Sequence, residues 1–382
     1  MKILITNPDT IIDPKTKQYY PGIEQQLNAF NEKEGQRVVV ISVKKFRLDP
    51  IPESYYKLTV SIQQRMGTSL IDALKRSLGC EISDLFVLGC KRADVAIAAN
   101  SKVLLLRADY AKEANSDESI YTKEYGISIK NAVNLGVFFD KFMSIKVPWY
   151  YKAEISKQTT IYALTNANTF YRDADISQLS AVFKDLLKNG NNTYQEEFTI
   201  YFLVSTYAIV KEFEDVDIWG IYPSSGIENN PHLEYFKEKA RQAYNCRKAY
   251  PLFIRHTPTV KRHNLGSIDR IKNGSDEELG TIRINPEWGN VKGKTVCVID
   301  DFTNIGSSCE TSRTLLEAAG AKKIIFITMG KFGKDYINYQ YSLSGDPFGW
   351  FKFERGTEKH VRGVFNTFSD EAFIKSLGGI IK

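Results

Sequence analysis

One stretch of sequence decides how the C-terminal half folds: Val298-Ile299-Asp300-Asp301-Phe302-Thr303-Asn304-Ile305-Gly306-Ser307-Ser308. The apolar run that leads into it, from Thr295, predicts a buried strand, and the spacing of apolar residues over 309–319 predicts a helix. Ligands of parallel sheets bind where a strand ends and the next helix begins. We therefore expect a binding loop at this junction.

The residues of this loop suit a phosphorylated sugar. Backbone N–H groups at a helix N-terminus attract phosphate, Gly306 allows a close backbone approach, and Ser307 and Ser308 offer hydroxyl groups. Asp300 and Asp301 precede them, and carboxylates accept hydrogen bonds from sugar hydroxyls. Two acids after a buried strand can also be a simple strand end with a helix cap. The complete ordered string is much rarer, so it favours ribose 5-phosphate binding.

The string resembles the phosphoribosyl-diphosphate signature of type I phosphoribosyltransferases. Asp300, Asp301, Gly306 and Ser308 match that pattern, whereas Asn304 and Ile305 stand where the family has threonines. Ile305 lacks a hydroxyl for the 5-phosphate, although backbone N–H groups can still bind it. The resemblance implies that the phosphoribosyl group is bound by Asp300, Asp301, Thr303, Asn304, Ile305, Gly306, Ser307 and Ser308.

The resemblance extends upstream to two further loops. The segment 216–226 resembles the family's strand and diphosphate loop, which implies ligand contacts from Ser224, Ser225 and Gly226. The segment 255–283 is similar to the basic mobile loop of the ComF-like and amidophosphoribosyltransferase-like branches. A solvated basic turn is the alternative interpretation. The resemblance implies that the leaving diphosphate is neutralised by Lys261, Arg262, His263 and Arg255.

The resemblance also implies the chemistry. A nucleophile would displace diphosphate from C1 of the ribose through an oxocarbenium-like transition state. Mg²⁺ would bind the diphosphate and ribose oxygens, with Asp300 and Asp301 as its carboxylates, because Mg²⁺ favours phosphate oxygens with few protein ligands. The expected ligand is phosphoribosyl diphosphate or a nucleotide, and the expected cofactor is Mg²⁺.

The first ~110 residues alternate between strand-like and helix-like segments, which predicts a parallel α/β domain. The segments 3–13 and 89–94 resemble motifs of the haloacid-dehalogenase superfamily. Thr6 and Pro8 occupy the positions of its nucleophilic and acid/base aspartates, whereas Ser42 and Asp94 fit its phosphate-binding and metal-binding positions. No cap-sized insertion separates the first two motifs. The resemblance implies a capless, degenerate and inactive fold that binds a protein partner or a phosphorylated ligand, and an unrelated parallel α/β domain is the alternative.

The predicted fold class is therefore α/β, with two doubly wound parallel-sheet domains. Residues 1–112 form the first domain, 113–157 form a junction, and 158–382 form the phosphoribosyltransferase-like domain. An aromatic segment near the C-terminus resembles the family's acceptor-binding hood, although aromatic packing in the core is the more economical interpretation.

Composition excludes several classes of protein. The chain has 382 residues and a net charge of +6 without a long basic tail, which makes nucleic acid an unexpected partner. Its five cysteines form no CxxC pair, which indicates buried free thiols in a reducing compartment. No apolar stretch approaches the ~20 residues that span a bilayer. We expect a cytoplasmic protein without membrane association, and its oligomeric state is left open.

Three functions follow from these observations. The first is a Mg²⁺-dependent phosphoribosyltransferase with an acceptor that the sequence does not name. The second is a non-catalytic regulator that binds a nucleotide or phosphoribosyl group in the same pocket. The third is a partner protein in a bacterial stress or phage-defence system, a hypothesis that comes from the fusion of the two resemblances alone.

Overall fold

The computed structural model describes residues 1–111, 125–143, 145, 147–168, 174–226, 228–259 and 275–366, with only the backbone for 174–176. The chain divides into two compact units. The first comprises Met1–Lys146 with Thr206–Glu214 and Gln242–Asn245, and the second comprises the remaining residues from Val147. The boundary between residues 146 and 147 falls inside the predicted junction 113–157.

The first unit alternates strands and helices along the chain. Its strands are β1 (Lys2–Thr6), β2 (Gln36–Ser42), β3 (Tyr56–Thr59), β4 (Leu85–Gly89), β5 (Leu104–Ala108) and β6 (Ile127–Ile129). Its helices are α1 (Pro8–Ile11), α2 (Ile23–Asn31), α3 (Ile62–Met66), α4 (Ser69–Leu78), α5 (Arg92–Ser101) and α6 (Ala132–Lys141).

The sheet of this unit has the order β3-β2-β1-β4-β5-β6, and all of its strand pairs are parallel. β1 and β4 are buried along most of their length, as strands covered by helices on both faces must be. β6 and α6 complete this unit, although the sequence places them in the junction. β6 has only three residues, too few for a periodic pattern, and its place is fixed by pairing with β5.

The second unit also alternates strands and helices. Its strands are β7 (Tyr151–Glu154), β8 (Thr159–Asn166), β9 (Ile218–Ile221), β10 (Phe253–Arg255), β11 (Ile282–Ile284), β12 (Thr295–Thr303), β13 (Lys323–Lys331), β14 (Asp335–Gly345), β15 (Phe351–Arg362) and β16 (Val364–Phe365). Its helices are α7 (Ala174–Lys184), which continues into a π-helical turn (Asp185–Asn189), α8 (Gln195–Ala208), α9 (Pro231–Ala243), α10 (Asp276–Leu279) and α11 (Ser307–Ala318).

The main sheet of this unit has the order β16-β7-β8-β13-β12-β9. The four strands from β8 to β9 are parallel, but β7 pairs antiparallel with both β8 and the edge strand β16, which corrects the expectation of a wholly parallel second sheet. The reason is local: only residues 155–158 connect β7 to β8, and a connection this short permits only antiparallel pairing.

Two small sheets complete the unit. β10 and β11 form an antiparallel pair, and β14 and β15 form a long hairpin. The hairpin contains the aromatic segment near the C-terminus: Tyr336 and Tyr339 are buried, whereas Trp350 at its turn is 88% exposed. Burial of the first two supports the packing interpretation of that segment over a purely ligand-binding one.

Candidate functional site

The candidate site lies where two adjacent strands of the second sheet end. β9 pairs in parallel with β12, so that Ile221 lies opposite Ile299. The Tyr222 N–H donates to the Ile299 carbonyl at 2.9 Å, one residue beyond β9. The loops that follow these strands, 223–226 and 304–306, therefore leave from the same edge of the sheet. The two loops that the sequence selects for diphosphate and ribose phosphate are neighbours.

The second loop is a tight turn that depends on a glycine. Gly306 has φ +92° and caps helix α11. A Cβ atom built on Gly306 would lie 2.2 Å from the ring of Tyr336. Both the left-handed backbone and the close tyrosine exclude a side chain at this position.

Helix α11 begins with a buried hydroxyl group that forms no hydrogen bond within the described part of the chain. Ser307 is 5% exposed, and its Oγ has no hydrogen-bond partner among the described residues. Its carbonyl, in contrast, accepts from the hydroxyls of Thr311 and Ser275 at 3.0 and 2.9 Å. Buried polar groups are nearly always paired, so an unpaired one at a helix N-terminus is a marker for a bound group.

The paired acids stand at the end of β12 in different environments. Asp300 is 7% exposed, and its Oδ1 accepts from the Asp301 N–H at 2.8 Å. Asp301 is more accessible; its Oδ1 accepts from the Phe302 N–H, and its Oδ2 forms an ion pair with Lys188. Lys188 lies in the π-helical turn after α7, and sequence reasoning did not select it.

The carbonyl groups of the phosphate loop are anchored from the next strand. Lys331 is fully buried, and its Nζ donates to the carbonyls of Asn304, Phe332 and Asp335 at 2.5, 2.6 and 2.9 Å. Burial lowers the pKa of Lys331 to about 8. The Ile305 carbonyl accepts from the backbone of β14 at 2.9 Å. The carbonyls of Asn304 and Ile305 are therefore both bonded within the protein.

Arg255 fixes the first loop from the inside. Its guanidinium pairs with Glu278 at 2.7 Å and donates to the carbonyl of Ser224 at 2.6 Å. It also donates to the hydroxyl of Thr281 at 2.7 Å, and the hydroxyl of Tyr222 donates to the same glutamate at 2.6 Å. These contacts make Arg255 a residue that positions the diphosphate loop, with its charge already neutralised by Glu278.

The basic segment lies between the two loops in the sequence. Lys261, Arg262 and His263 lie outside the described residues. The residues on either side of 260–274 are described: the Thr259 N–H donates to the Ser225 carbonyl at 2.9 Å, and the Ser275 hydroxyl donates to the Ser307 carbonyl at 2.9 Å. The residues that flank 260–274 are thus bonded to the loops that follow β9 and β12.

A buried glutamate attaches the hairpin to helix α11. Glu310 is fully buried and accepts from the Tyr336 hydroxyl at 2.7 Å and from the Tyr339 N–H at 2.9 Å. Arg313, one turn later, pairs with it at 2.6 Å. Because the ring of Tyr336 also touches Gly306, this network holds the hairpin against the phosphate loop.

Sequence reasoning missed three charged residues: Lys188, Glu310 and Lys331. Lys331 ends an otherwise apolar strand, and Glu310 lies in a helix turn that is buried on all sides. A charge inside such a run is the signal that was available, since charged residues are almost never fully buried unless paired. For Lys188 the sequence contains no signal, because its role depends on the π-helical turn.

The first unit has its own cluster of acids at the carboxyl end of its sheet. The strand order reverses between β1 and β4, the position where α/β sheets bind ligands. Asp9, just after β1, is 5% exposed and pairs with Lys91 at 2.8 Å and with Arg47. Burial alone would raise the pKa of Asp9, but hydrogen bonds from Lys91 and Arg47 outweigh that effect and lower it.

The predicted positions around Asp9 are engaged by the protein itself. Asp94 caps helix α5 by accepting from the N–H groups of Cys90 and Lys91, both at 3.0 Å, and from Arg65 at 3.1 Å. The Ser42 hydroxyl bonds to the backbone of Lys44. Thr6 is the exception, because its buried Oγ1 has no partner among the described residues.

Within the described part of the chain, no three or more His, Cys, Asp or Glu side chains come together as a metal-binding group. The five cysteines are free, and four of them are buried.

No model of a known protein family matches the chain, and no curated protein matches it either. In the described ranges, every helix is too short or too polar to cross a bilayer.

Proposed function

We propose that the second unit is a Mg²⁺-dependent phosphoribosyltransferase that uses phosphoribosyl diphosphate. The observation that carries this proposal is the adjacency of the loops after β9 and β12, with the unpaired Ser307 hydroxyl at the start of α11. A phosphoribosyl diphosphate molecule needs two phosphate sites separated by a ribose. Two neighbouring loops at one sheet edge, with acids between them, supply that arrangement.

Each group has a role in this proposal. Asp300 and Asp301 accept hydrogen bonds from the ribose hydroxyls, and the N–H groups of 303–308 hold the 5-phosphate. The loop 224–226, fixed by Arg255, binds the diphosphate. Lys261, Arg262 and His263 neutralise the diphosphate as it leaves. The protein contributes positioning and charge stabilisation to a transition state that resembles an oxocarbenium ion.

Two adjacent carboxylates fit Mg²⁺, which keeps several waters and takes phosphate oxygens with one or two protein carboxylates. Asp300 and Asp301 are the residues that would hold the ion. When bound, Mg²⁺ supplies positive charge to the diphosphate oxygens.

Isothermal titration with phosphoribosyl diphosphate and Mg²⁺ tests this proposal. We expect binding by the full chain and at least about 100-fold weaker binding by Asp300→Asn plus Asp301→Asn, because two charge-assisted contacts are lost. Glu354→Gln plus Glu358→Gln, on the exposed strand β15, is the matched control and should bind normally. Absence of binding by the folded wild-type chain, or unchanged binding by the double aspartate variant, would refute the proposal.

A second candidate is a regulator that binds the same ligand without turnover. Ile305 favours it, since that side chain offers the 5-phosphate no hydroxyl and its carbonyl is bound to β14. Release of diphosphate in the presence of an acceptor distinguishes the two: a transferase releases it, and a regulator only binds.

For the first unit we propose a catalytically inactive phosphohydrolase-like fold. Thr6 and Pro8 cannot serve as a carboxylate nucleophile and its acid/base partner. Asp9 is the nearest carboxylate, but two cations hold it in a buried ion cluster. Phosphatase assays with p-nitrophenyl phosphate should therefore give no activity above that of Asp9→Asn.

A further inference from the structure

A buried lysine at the end of strand β13 has no part in the proposed function as stated so far. Lys331 is fully buried, and its Nζ donates to the carbonyls of Asn304, Phe332 and Asp335. Asn304 lies in the loop after β12, whereas Phe332 follows β13 and Asp335 begins β14. One ammonium group thus joins the loop that the proposed function assigns to the 5-phosphate to the segment between β13 and β14.

The number of these contacts specifies the protonation state of Lys331. An ammonium group has three N–H donors, and three carbonyls accept from it. A neutral amine has only two N–H donors, and its lone pair would face the third carbonyl. A buried carbonyl without a donor is unfavourable. The observed contacts of the Asn304 carbonyl and its two companions therefore belong to the protonated lysine.

The surroundings of Lys331 allow this proton to be lost near neutral pH. Burial lowers the pKa of Lys331 to about 8, although the charges of Asp335 and Cys309 act in the opposite direction. Burial raises the pKa of the Cys309 thiol well above its ordinary value. The ring centre of Tyr151 lies 5.3 Å from the lysine Nζ, and burial raises the pKa of its hydroxyl as well. Among the described groups that face Lys331, the thiol and the phenol therefore stay neutral where the lysine loses its proton.

The lysine contact also orients a peptide group of the loop. Within the described part of the chain there is no cis peptide bond, and the C=O and N–H of a trans peptide point in opposite directions. Because the Asn304 carbonyl is bound to Lys331, the Ile305 N–H points away from that lysine. The Ile305 carbonyl accepts from the Ile337 N–H at 2.9 Å, so the Gly306 N–H points away from β14. A hydrogen bond to a carbonyl also polarises its peptide and strengthens the N–H as a donor.

We propose that Lys331 is a positioning residue for the 5-phosphate, and that the loop after β12 binds phosphoribosyl diphosphate only while Lys331 carries its proton. The inference rests on the proposed function, because it assigns a proton requirement to that same site. A bound phosphate dianion favours the protonated lysine, since opposite charges attract. Ligand binding and proton binding are then linked, and each strengthens the other.

Proton uptake during binding tests this linkage in the full chain. Phosphoribosyl diphosphate is titrated calorimetrically at pH 8 and saturating Mg²⁺, in Tris and in HEPES, whose ionisation enthalpies differ. The 5-phosphate loses its second proton at about pH 6, so it exchanges none at pH 8. About half of the lysines are neutral at that pH, and we expect uptake of roughly half a proton per ligand bound.

The affinity should follow the protonated fraction of Lys331. Between pH 7 and pH 9 that fraction falls about ten-fold, and the apparent Kd of phosphoribosyl diphosphate should rise by about the same factor. Inorganic diphosphate with Mg²⁺ is the ligand control, because the proposed function assigns it to the loop 224–226. It should bind at pH 8 without proton uptake.

An exposed variant moves the transition without a change in the core. Asp335 is exposed, and its charge raises the pKa of Lys331. Asp335→Asn should therefore shift the loss of affinity to lower pH. Glu354→Gln, on the exposed strand β15, is the matched acid control and should leave the pH profile unchanged.

Two substitutions of the lysine separate its charge from its proton. Lys331→Arg retains a cation that does not lose its proton in this pH range, so its affinity should not depend on pH from 7 to 9. Lys331→Met should bind phosphoribosyl diphosphate at least about ten-fold more weakly than wild type at pH 7, without proton uptake. The wild-type and Asp335→Asn measurements decide the inference even if neither of these buried variants folds.

Three results would overturn the inference while the proposed function stands: phosphoribosyl diphosphate binds at pH 8 without proton uptake, inorganic diphosphate alone gives the same uptake, or Asp335→Asn keeps the wild-type pH profile. Failure to bind phosphoribosyl diphosphate at any pH is a different result. It refutes the proposed function, and the proton requirement is refuted with it.

Discussion

The two units place acids at the carboxyl ends of their parallel strands, but those acids have different surroundings. In the first unit, Asp9 is enclosed by Arg47 and Lys91. In the second, Asp300 accepts from the Asp301 N–H, and Asp301 accepts from the Phe302 N–H and pairs with the exposed Lys188. The comparison teaches that the two acids differ in their cations: Asp9 is held between two, whereas Asp301 pairs with a single exposed lysine.

The largest expected effect comes from adding a side chain at Gly306, in the turn that precedes helix α11. Gly306→Ala places a methyl group against the Tyr336 ring and forces a left-handed backbone on alanine. We expect the free energy of unfolding to fall by about 3 kcal/mol or more, from backbone strain together with overpacking. Urea unfolding measures it.

Gly190→Ala is the matched control for that prediction. Gly190 has a similar left-handed backbone, with φ +76° and ψ +18°, but a Cβ there meets its nearest atom at 3.8 Å. Its cost should be only the backbone part, roughly 1–2 kcal/mol. Equal costs at Gly306 and Gly190 would mean that Tyr336 does not constrain the loop.

The second effect is the pH dependence caused by Lys331. Its pKa in the folded chain is about 8, below the ordinary 10.5, so the unfolded chain binds more protons between those values. Wild-type stability should therefore rise relative to Lys331→Met as the pH increases from 7 to 10, by on the order of 2 kcal/mol. A gap between the two proteins that is constant with pH would contradict the buried position of the ammonium group.

The third effect comes from removing the charge of Asp9 from its ion cluster with Arg47 and Lys91 in the first unit. Asp9→Asn leaves Arg47 and Lys91 without their carboxylate. Arg47 is 37% exposed, so we expect a loss of about 2 kcal/mol, less than for a fully buried pair. Asp140→Asn removes an exposed ion pair with Lys33 and should change stability by under about 0.5 kcal/mol.

The stability difference between wild type and Asp9→Asn should also depend on pH. The pKa of Asp9 is lowered from 3.8, so its contribution is complete above that value and is lost as the pH falls through the folded pKa. The difference between wild type and Asp9→Asn should shrink from pH 7 to pH 3. Added inorganic phosphate should stabilise the variant more than wild type, because it can replace the lost carboxylate. The absence of both responses would mean that the cations do not depend on Asp9.

The smallest effects come from two of the buried hydroxyls that have no partner among the described residues, those of Ser307 and Thr6. Ser307→Ala should change stability by less than about 1 kcal/mol, yet weaken binding of phosphoribosyl diphosphate roughly five-fold. Thr6→Val should leave that binding unchanged and raise stability by up to about 1 kcal/mol, because an unsatisfied polar group is removed without loss of volume. If Ser307→Ala and Thr6→Val changed the binding of phosphoribosyl diphosphate equally, the ligand would not distinguish the second unit from the first.

The sequence predicted the elements that local patterns encode. The apolar runs of β1, β4 and β12 and the glycine-containing turn at Gly306 lie where the patterns indicate. β6, β7 and the hairpin β14–β15 were not recognised as members of their sheets, because their places depend on pairing with distant residues. The Lys188–Asp301 pair spans more than a hundred residues, and no local periodicity specifies such a contact.

The π-helical turn has a consequence for how the contact between Lys188 and Asp301 can evolve. Such a turn holds one more residue than an α-helical turn of the same height. Deletion of a single codon between Lys184 and Lys188 would restore regular α-helix and rotate Lys188 by about 100° away from Asp301. Strands β9 and β12 and the loops after them would keep their sequences. A lineage can therefore gain or lose this lysine contact in one genetic event, without a change at that edge of the sheet.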